Sequence, residues 1–296
     1  MGEATAQRVG IVGLGRMGLP MCVRLSAAGF DVTATDVREA TRAPATASGA
    51  RWLPSVAETA AAADVVITVL PGSVELASVV TELTASAARG TIWIEMSTVS
   101  PPVAQLVTAA AGAAGVRALD APVGGGPAAA ADGRLLSFVG AQPDDLEAAR
   151  AVLGTLADRI VHVGPPGSGY AVKLLANSLW FAQAVAVAET FTLASRAGLD
   201  LERVREALGQ SAAAGRFLTE EVPALLEGDD HPSFPLARCC EQLESMLALG
   251  DELTVPLELM TVVSGIHRRA LEHYGEVDGE LLGARFVAER AGVSFS

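Results

Sequence analysis

The chain has 296 residues, of which 50% are hydrophobic and 19% charged, so it can bury the cores of about two average domains. Its 34 acidic and 21 basic side chains give a net charge of −13. Nucleic-acid binding needs a basic face that neutralises phosphates. No lysine or arginine cluster large enough supplies one, so we expect no nucleic-acid partner.

Membrane and secretory signals are weak in this sequence. The longest charge-free helical stretch, residues 174–188, includes polar Asn177, Ser178 and Gln183 and is short for a bilayer. No apolar leader precedes the first glycine motif. The three cysteines form neither a C-x-x-C pair nor a disulfide framework. We therefore expect a cytoplasmic protein with no membrane partner.

Short apolar runs alternate with helical patterns in the first half of the chain, which is typical of βαβ units and a mainly parallel sheet. Residues 17–28 and a segment from Pro101, with Ser100 as its N-cap, are predicted helices. The predicted strands are residues 8–12, 31–36, 64–70, 91–95, 116–120, 135–139 and 160–163.

The pattern changes at the Gly-Pro-Pro-Gly sequence of residues 164–167. One long helix is predicted over residues 168–196, without an internal proline. Further helices are predicted over residues 201–208, 217–226, 236–249 and 257–274. The sequence therefore predicts an α/β fold with a Rossmann domain over residues 1–165. An all-α domain, opened by the long linking helix, is expected over residues 166–296.

A glycine motif follows the first predicted strand, with the sequence Gly13-Leu14-Gly15-Arg16-Met17-Gly18. In a dinucleotide-binding turn the first glycine permits the bend, the second lets the pyrophosphate approach the backbone, and the third packs helix on strand. Asp36, at the end of the second predicted strand, would accept hydrogen bonds from a ribose 2′-hydroxyl. This favours NAD, whereas Arg38 could meet a 2′-phosphate and keeps NADP as the alternative.

Lys173 is the only lysine among the 21 basic residues. Arginine stays protonated in proteins, whereas a desolvated lysine can release its proton. Asn177 lies four residues later and would share one helix face with Lys173. The pair suits proton exchange with a substrate hydroxyl or carbonyl. The four histidines show no metal-ligand spacing, so we expect no metal site.

Four segments resemble the β-hydroxyacid dehydrogenase family, typified by 3-hydroxyisobutyrate dehydrogenase, and they occur in the family's order. They are residues 13–21, 96–101, 120–126 and 167–177. The resemblance implies that Lys173 is the catalytic acid/base, Asn177 a substrate contact and Thr98 a cofactor contact near the nicotinamide. It also implies that Leu70 and Pro71 line the cofactor cleft, and that the helical domain forms a homodimer or homotetramer.

The chain departs from the family pattern at the substrate end. Gly124 stands where a serine is usual, although the amides of Gly124, Gly125 and Gly126 could still bind a carboxylate. Glu241 and Gln242 replace the usual Lys-Asp pair, and Ala176 replaces a frequent asparagine. Gln242 is therefore a candidate substrate contact of altered chemistry.

These features predict an NAD-dependent oxidoreductase that moves a hydride between nicotinamide and a small β-hydroxy acid or its semialdehyde. An imine reductase on the same scaffold is one alternative, although that branch usually replaces the lysine. A catalytically silent nucleotide-binding protein is another, although such members commonly lose the lysine as well.

Overall fold

A computed structural model describes residues 6–295, and a mainly parallel sheet organises the first part of the chain. Its strands are β1 (Arg8–Val12), β2 (Asp31–Thr35), β3 (Arg51–Trp52), β4 (Val65–Thr68), β5 (Ile92–Glu95), β6 (Arg117–Asp120), β7 (Val123–Gly124), β8 (Leu135–Gly140) and β9 (Ala157–Gly164). Within the described residues their order is β3-β2-β1-β4-β5-β6-β8-β7, with β9 paired to β8. From β3 to β6 all strands are parallel. This is the order of the doubly wound dinucleotide-binding fold, and the predicted Rossmann architecture is confirmed.

Helices separate most of these strands. They are α1 (Gly18–Ala27), α2 (Arg42–Ala47), α3 (Val56–Ala62), α4 (Ser73–Ser86), α5 (Pro101–Ala114), α6 (Gly126–Asp132) and α7 (Pro143–Leu156), and a 3₁₀ turn spans Glu39–Thr41. Ser100 occupies the N-cap position of α5, but its side chain does not cap the helix. Its Oγ instead accepts a hydrogen bond from the Ser73 hydroxyl at 3.2 Å, so the predicted N-cap position is confirmed, without a side-chain bond to the helix.

Alternate residues of the central strands face two separate apolar cores. On β5, Ile92 and Ile94 join one core while Trp93 joins the other. On β4, Ile67 and Val66 divide in the same way. Because helices cover both faces of a parallel sheet, its strands are apolar at nearly every position. This explains why the continuous apolar runs predicted the ends of these strands to within three residues of the observed ends.

The second part of the described chain is helical, as predicted. Its helices are α8 (Ser168–Arg196), α9 (Leu201–Gly209), α10 (Val222–Glu227), α11 (Leu236–Glu252), α12 (Glu258–Tyr274) and α13 (Leu282–Arg290). The single helix predicted over residues 217–226 is instead a π-helical turn, Phe217–Glu221, followed by α10. Pro223 lacks the N–H that a continuous helix would need there. The prediction also missed α13.

The described residues divide into two compact units between Lys173 and Leu174, within α8. In the second unit, Phe181 and Phe191 of α8 are buried in apolar cores, and the Trp180 ring packs edge-on against Phe217. The predicted domain boundary at residue 165 stays a prediction. The expectation of no leader also concerns residues 1–5, which lie outside the described residues.

Within the described residues, α8 alone is long and apolar enough to cross a membrane by length and composition. One such helix is weak evidence of a membrane span, because core helices of water-soluble proteins pass the same test.

Candidate active site

The glycine turn lies between the carboxyl end of β1 and the start of α1. Gly13 has a φ of 95°, and a Cβ there would lie 2.5 Å from the Val69 carbonyl oxygen. A Cβ on Gly18 would overlap the Gly13 carbonyl oxygen, so the third glycine lets α1 pack onto the turn. Around Gly15, only the Arg38 guanidinium would come within 4 Å of a Cβ, at 3.7 Å, among the described atoms. The backbone at Gly15 is therefore open to a ligand, and the turn fits a dinucleotide pyrophosphate.

The remaining residues of the motif have different surroundings. The Leu14 side chain is buried in the apolar core. Arg16 is exposed, whereas Met17 is half-buried and precedes the first residue of α1. The motif therefore combines a core anchor at Leu14 with a solvent-facing backbone at the positions that would approach a cofactor.

Asp36 follows β2 beside this turn and is fully hydrogen-bonded. Its Oδ2 accepts from the Leu14 N–H at 2.6 Å and from Arg38 Nη2 at 2.9 Å. Its Oδ1 accepts from the Arg38 N–H at 2.8 Å and from Arg38 Nε at 3.0 Å. Burial acts to raise the pKa of Asp36, but the hydrogen bonds from Arg38 and Leu14 outweigh it and hold the pKa below its ordinary value. The carboxylate is therefore ionised and shared between the turn and a guanidinium that is 57% exposed.

Two loops beside the glycine turn are joined by serine hydroxyls. They follow β4 and β5, which are neighbouring parallel strands. Ser97 Oγ accepts from the Leu70 N–H at 2.9 Å, and Ser73 Oγ accepts from the Ser100 N–H at 2.9 Å. Leu70 packs on the glycine turn, since its Cδ2 would lie 2.8 Å from a Cβ on Gly13.

Pro71 and Thr98 lie in these two loops, Pro71 exposed and Thr98 half-buried. Ligands of doubly wound sheets bind outside the carboxyl ends of the strands. The structure therefore brings the glycine turn, Leu70, Pro71 and Thr98 to one edge of the sheet, where the resemblance places the cofactor.

Two buried carboxylates end the neighbouring strands β5 and β6. Glu95 and Asp120 are register partners, and their residues are 0% and 4% exposed. Asp120 accepts from the N–H groups of Gly167 at 2.6 Å and Tyr170 at 3.0 Å, at the start of α8. Burial raises the pKa of Glu95 to about 7, and burial also raises the pKa of Asp120 above its ordinary value. The sequence analysis placed both residues at strand ends but gave neither a role; an acidic residue as the last residue of a predicted strand was the available signal.

Lys173 lies in the second turn of α8 and is half-buried. Asn177 follows one helical turn later, also half-buried, and its Nδ2 donates to Gln242 Oε1 at 2.5 Å. Gln242 lies on α11, so the two amides pair within the helical unit. The two predicted substrate-contact side chains of that unit are thus in direct contact.

The three consecutive glycines lie at the junction of β7 and α6. Gly124 ends β7, and a Cβ there would meet no described atom within 4 Å. Gly125 and Gly126 have φ values of 116° and 70°, in the region that favours glycine. A Cβ on Gly125 would also lie 2.8 Å from the Ala129 Cβ. The backbone conformation therefore requires glycine at residues 125 and 126, whereas residue 124 has room for a side chain.

No group of three or more histidine, cysteine, aspartate or glutamate side chains within residues 6–295 could hold a metal ion.

Comparison with known proteins identifies the family. The family model described as the NAD-binding domain of 6-phosphogluconate dehydrogenase matches residues 8–164. The model described as NAD-binding of NADP-dependent 3-hydroxyisobutyrate dehydrogenase matches residues 167–282. The chain belongs to the β-hydroxyacid dehydrogenase family.

This β-hydroxyacid dehydrogenase is similar in sequence to two other dehydrogenases. It is 31% identical to 2-(hydroxymethyl)glutarate dehydrogenase of Eubacterium barkeri, over 88% of this chain and 87% of that protein. It is 34% identical to NAD-dependent L-serine dehydrogenase of Pseudomonas aeruginosa, over 70% of each chain.

Among solved structures, the β-hydroxyacid dehydrogenase is similar to the Mycobacterium tuberculosis 3-hydroxyisobutyrate dehydrogenase described with L-serine. The TM-score is 0.88 at 28% identity, covering 96% of this chain and 99% of that chain. The protein is thus an NAD(P)-dependent hydroxyacid dehydrogenase.

Proposed function

We propose that this dehydrogenase oxidises the primary alcohol of a small β-hydroxy acid to the semialdehyde and catalyses the reverse reduction. The 3-hydroxyisobutyrate, L-serine and 2-(hydroxymethyl)glutarate named for its relatives share one chemical core. Each is a carboxylate whose α-carbon bears a hydroxymethyl group, and they differ in the third substituent of that carbon. We propose that substrates of this chain contain the same core.

One observation carries the proposal: the sole lysine of the chain lies just after a helix start that is bound to the carboxyl edge of the Rossmann sheet. A nicotinamide cofactor, when bound, supplies the hydride acceptor. Lys173 Nζ, as the neutral amine, would take the hydroxyl proton during oxidation and return it to the oxygen during reduction. Arginine cannot perform this transfer because its guanidinium stays protonated.

Other residues would bind and orient the substrate. Asn177 has an amide oxygen left to accept a hydrogen bond, because its Nδ2 donates to Gln242. The backbone around Gly124 would face the carboxylate, as the family resemblance implies. Because Gln242 is neutral where the family usually has an aspartate, the third substituent of the α-carbon would meet an uncharged amide.

A panel of hydroxy acids tests this proposal. We expect NADH or NADPH to form with at least one of 3-hydroxyisobutyrate, L-serine, 2-(hydroxymethyl)glutarate and 3-hydroxypropionate. Lys173→Ala and Lys173→Arg should each lower kcat by about 10²-fold or more while cofactor binding persists. Arg196→Ala, which removes a cation from the far end of the same helix, is the control. An active Lys173→Arg enzyme would refute the proton-transfer role.

Imine reduction remains the second candidate, because the substrate-end residues Gly124 and Gln242 depart from the family pattern. Cyclic imines assayed beside the hydroxy acids separate the two activities. Consumption of NADPH with the imines alone would favour the reductase. Turnover of neither class would favour a silent nucleotide-binding protein.

We also propose that the protein is a cytoplasmic homodimer or homotetramer. Leu175, Leu179 and Leu193 on α8 are 51%, 60% and 73% exposed, an apolar surface that a second copy would cover. Cys22, Cys239 and Cys240 are buried and free, which suits a reducing compartment. Light scattering of the purified protein checks the assembly, and a monomer at micromolar concentration would contradict it.

A further inference from the structure

The start of α8 contacts the sheet unusually closely. A Cβ on Gly169 would overlap the Phe138 carbonyl oxygen and lie 2.7 Å from Asp120 Oδ2. A Cβ on Gly140 would lie 2.5 Å from the same oxygen of Asp120 and 2.8 Å from the Gly169 N. Two glycines, one on the helix and one on β8, therefore allow backbone and carboxylate to meet without an intervening side chain.

Asp120 fixes this junction with both of its oxygens. Oδ1 accepts from the Gly167 N–H and Oδ2 from the Tyr170 N–H, so two N–H groups of the helix start are satisfied by one carboxylate. Because Asp120 is buried and ends β6, the first turn of α8 is held to the sheet rather than to a mobile loop.

Glu95, the register partner of Asp120, accepts hydrogen bonds from the loop that follows β5 and from β4. Its Oε1 accepts from the Ser97 N–H at 2.9 Å and from Thr68 Oγ1 at 3.3 Å. The Thr68 hydroxyl in turn accepts from Trp93 Nε1 at 2.8 Å. This network ties the ends of β4 and β5 to the loop that carries Thr98, the predicted cofactor contact.

Tyr170 connects Glu95 to the helix. Its side chain is buried in the apolar core beside β5, and burial together with the nearby charges of Glu95 and Asp120 raises the pKa of the phenol. Burial raises the pKa of Glu95, and an interaction with the Tyr170 hydroxyl counteracts that rise. The phenol and the carboxyl therefore interact directly in the buried interior, three residues before Lys173.

We propose that Asp120 and Glu95 are positioning residues that set the location of the Lys173 amine through the first turn of α8. Asp120 does so through the Gly167 and Tyr170 N–H groups, and Glu95 through its interaction with the Tyr170 hydroxyl. The proposal rests on the proposed catalytic role of Lys173. A displacement of about 1 Å in a catalytic group can cost about 10²-fold in rate, so the anchoring would be visible in turnover.

The sole lysine makes a direct test possible. Protein grown with ¹³C,¹⁵N-labelled lysine gives a single set of lysine side-chain NMR signals, and all of them belong to Lys173. The Nζ resonance is the Lys173 signal followed below. The variants are Asp120→Ala and Glu95→Ala, with Asp120→Asn and Glu95→Gln retaining one acceptor oxygen each. Asp200→Ala, which removes the side-chain N-cap of α9, is the matched control for the loss of a helix-capping aspartate.

We expect Asp120→Ala and Glu95→Ala to lower kcat by about tenfold or more and to shift the Lys173 signal. Affinity for NADH should be unchanged in Asp120→Ala. Glu95→Gln keeps an acceptor for the Ser97 and Thr68 hydrogen bonds and should retain much more of the wild-type value in both readouts, which a general loss of stability would not explain. Asp120→Asn keeps one of the two acceptors and turns an NH2 group toward the other backbone N–H, so its values should lie between those of Asp120→Ala and wild type. Asp200→Ala should change neither kcat nor the Lys173 signal. An unshifted Lys173 signal in folded Asp120→Ala and Asp120→Asn overturns the proposal, as does an equal loss of kcat in Asp200→Ala.

The NMR readout also separates the two proposals. If the wild-type protein oxidises no hydroxy acid, a shifted Lys173 signal in the Asp120 variants still supports the positioning role while the proposed activity fails. If turnover is normal and the signal does not respond, the activity stands and the positioning role is refuted.

Discussion

The backbone N–H of Leu14 donates to Oδ2 of Asp36 across 2.6 Å, so the second residue of the glycine turn is bound to the end of β2. Arg38 supplies the other three hydrogen bonds that Asp36 accepts. A carboxylate has about four lone-pair sites, and all are engaged. A ribose 2′-hydroxyl could donate to Asp36 only by replacing a bond from Arg38, whereas a 2′-phosphate would offer the exposed guanidinium a more highly charged partner.

We therefore predict that Arg38→Ala weakens NADP binding relative to NAD by roughly tenfold or more, the equivalent of a charge-assisted hydrogen bond. NAD binding should hold or improve, because the acceptor sites of Asp36 become available. Isothermal titration with both cofactors measures the ratio. Arg42→Ala removes a neighbouring exposed arginine that pairs with Glu39 and serves as the control. An unchanged ratio would assign cofactor choice to other residues.

Asp36, the hydrogen-bond partner of Arg38, should also affect the choice between NAD and NADP. Asp36→Asn keeps an oxygen for the Leu14 N–H but removes the charge that repels a 2′-phosphate. We expect the preference for NAD over NADP to fall, and the melting temperature to fall less than in Asp36→Ala. Equal preference in wild type and Asp36→Asn would contradict this interpretation of the carboxylate.

Asp36 also shows how far the sequence alone could lead. Its position after β2 and beside the glycine turn followed from spacing, because the dinucleotide fingerprint is local in the chain. Its pairing with Leu14 and Arg38 did not follow, since the geometry of side chains depends on the folded loop. The same difference separates the accurately predicted α8 from the missed strands β3 and β7, which are two residues long and exist only through pairing with neighbours.

The candidate site was predictable where it is a contiguous motif and not where it joins distant strands. Lys173, Asn177 and the glycine turn were found from local patterns. Glu95 and Asp120 are 25 residues apart in sequence, and their pairing requires that β5 and β6 be neighbours in register. Strand order is a property of the whole sheet, so the juxtaposition of these two carboxylates could not be predicted from either segment.

The buried carboxyl of Glu95 predicts a pH dependence of stability. Its pKa of about 7 lies above the ordinary value of 4.5, so the folded protein keeps a proton that the unfolded chain has released between these values. Folding stability contributed at this site therefore decreases as pH rises from 4.5 to 7. Glu95→Gln lacks this titration, so its stability relative to wild type should rise across the window by on the order of 3 kcal/mol.

Urea unfolding of both proteins at several pH values measures this difference. Hydrogen bonding to Glu221 raises the pKa of His231 and burial lowers the pKa of His267, but both histidines are present in both proteins and their effects cancel in the comparison. Parallel stability curves for wild type and Glu95→Gln would show that the Glu95 carboxyl ionises in the folded protein as it does in the unfolded chain.

The close contact at Gly169 predicts a large effect from a single methyl group. Gly169→Ala places a Cβ in overlap with the Phe138 carbonyl oxygen, so backbone must move, and we expect a loss of about 1–3 kcal/mol in unfolding free energy. Gly154→Ala in α7 is the matched control, because a Cβ there meets no described atom within 4 Å. That variant should be neutral or stabilised by about 0.5–1 kcal/mol, since alanine is the better helix former. A Gly169→Ala protein as stable as wild type would mean that α8 starts further from the sheet.

Gly124 differs from Gly169, because there is room for a side chain at residue 124. Gly124→Ser should fold normally, because the added Cβ meets no described atom within 4 Å. If the substrate carboxylate binds there, the new hydroxyl adds a donor, and KM for the preferred hydroxy acid should fall by about three- to tenfold at nearly constant kcat, the equivalent of a neutral hydrogen bond. Gly112→Ser in α5, at an equally open position, controls for the substitution itself. Steady-state kinetics measure this effect, and a KM that rises for every acid of the panel would contradict carboxylate binding at Gly124.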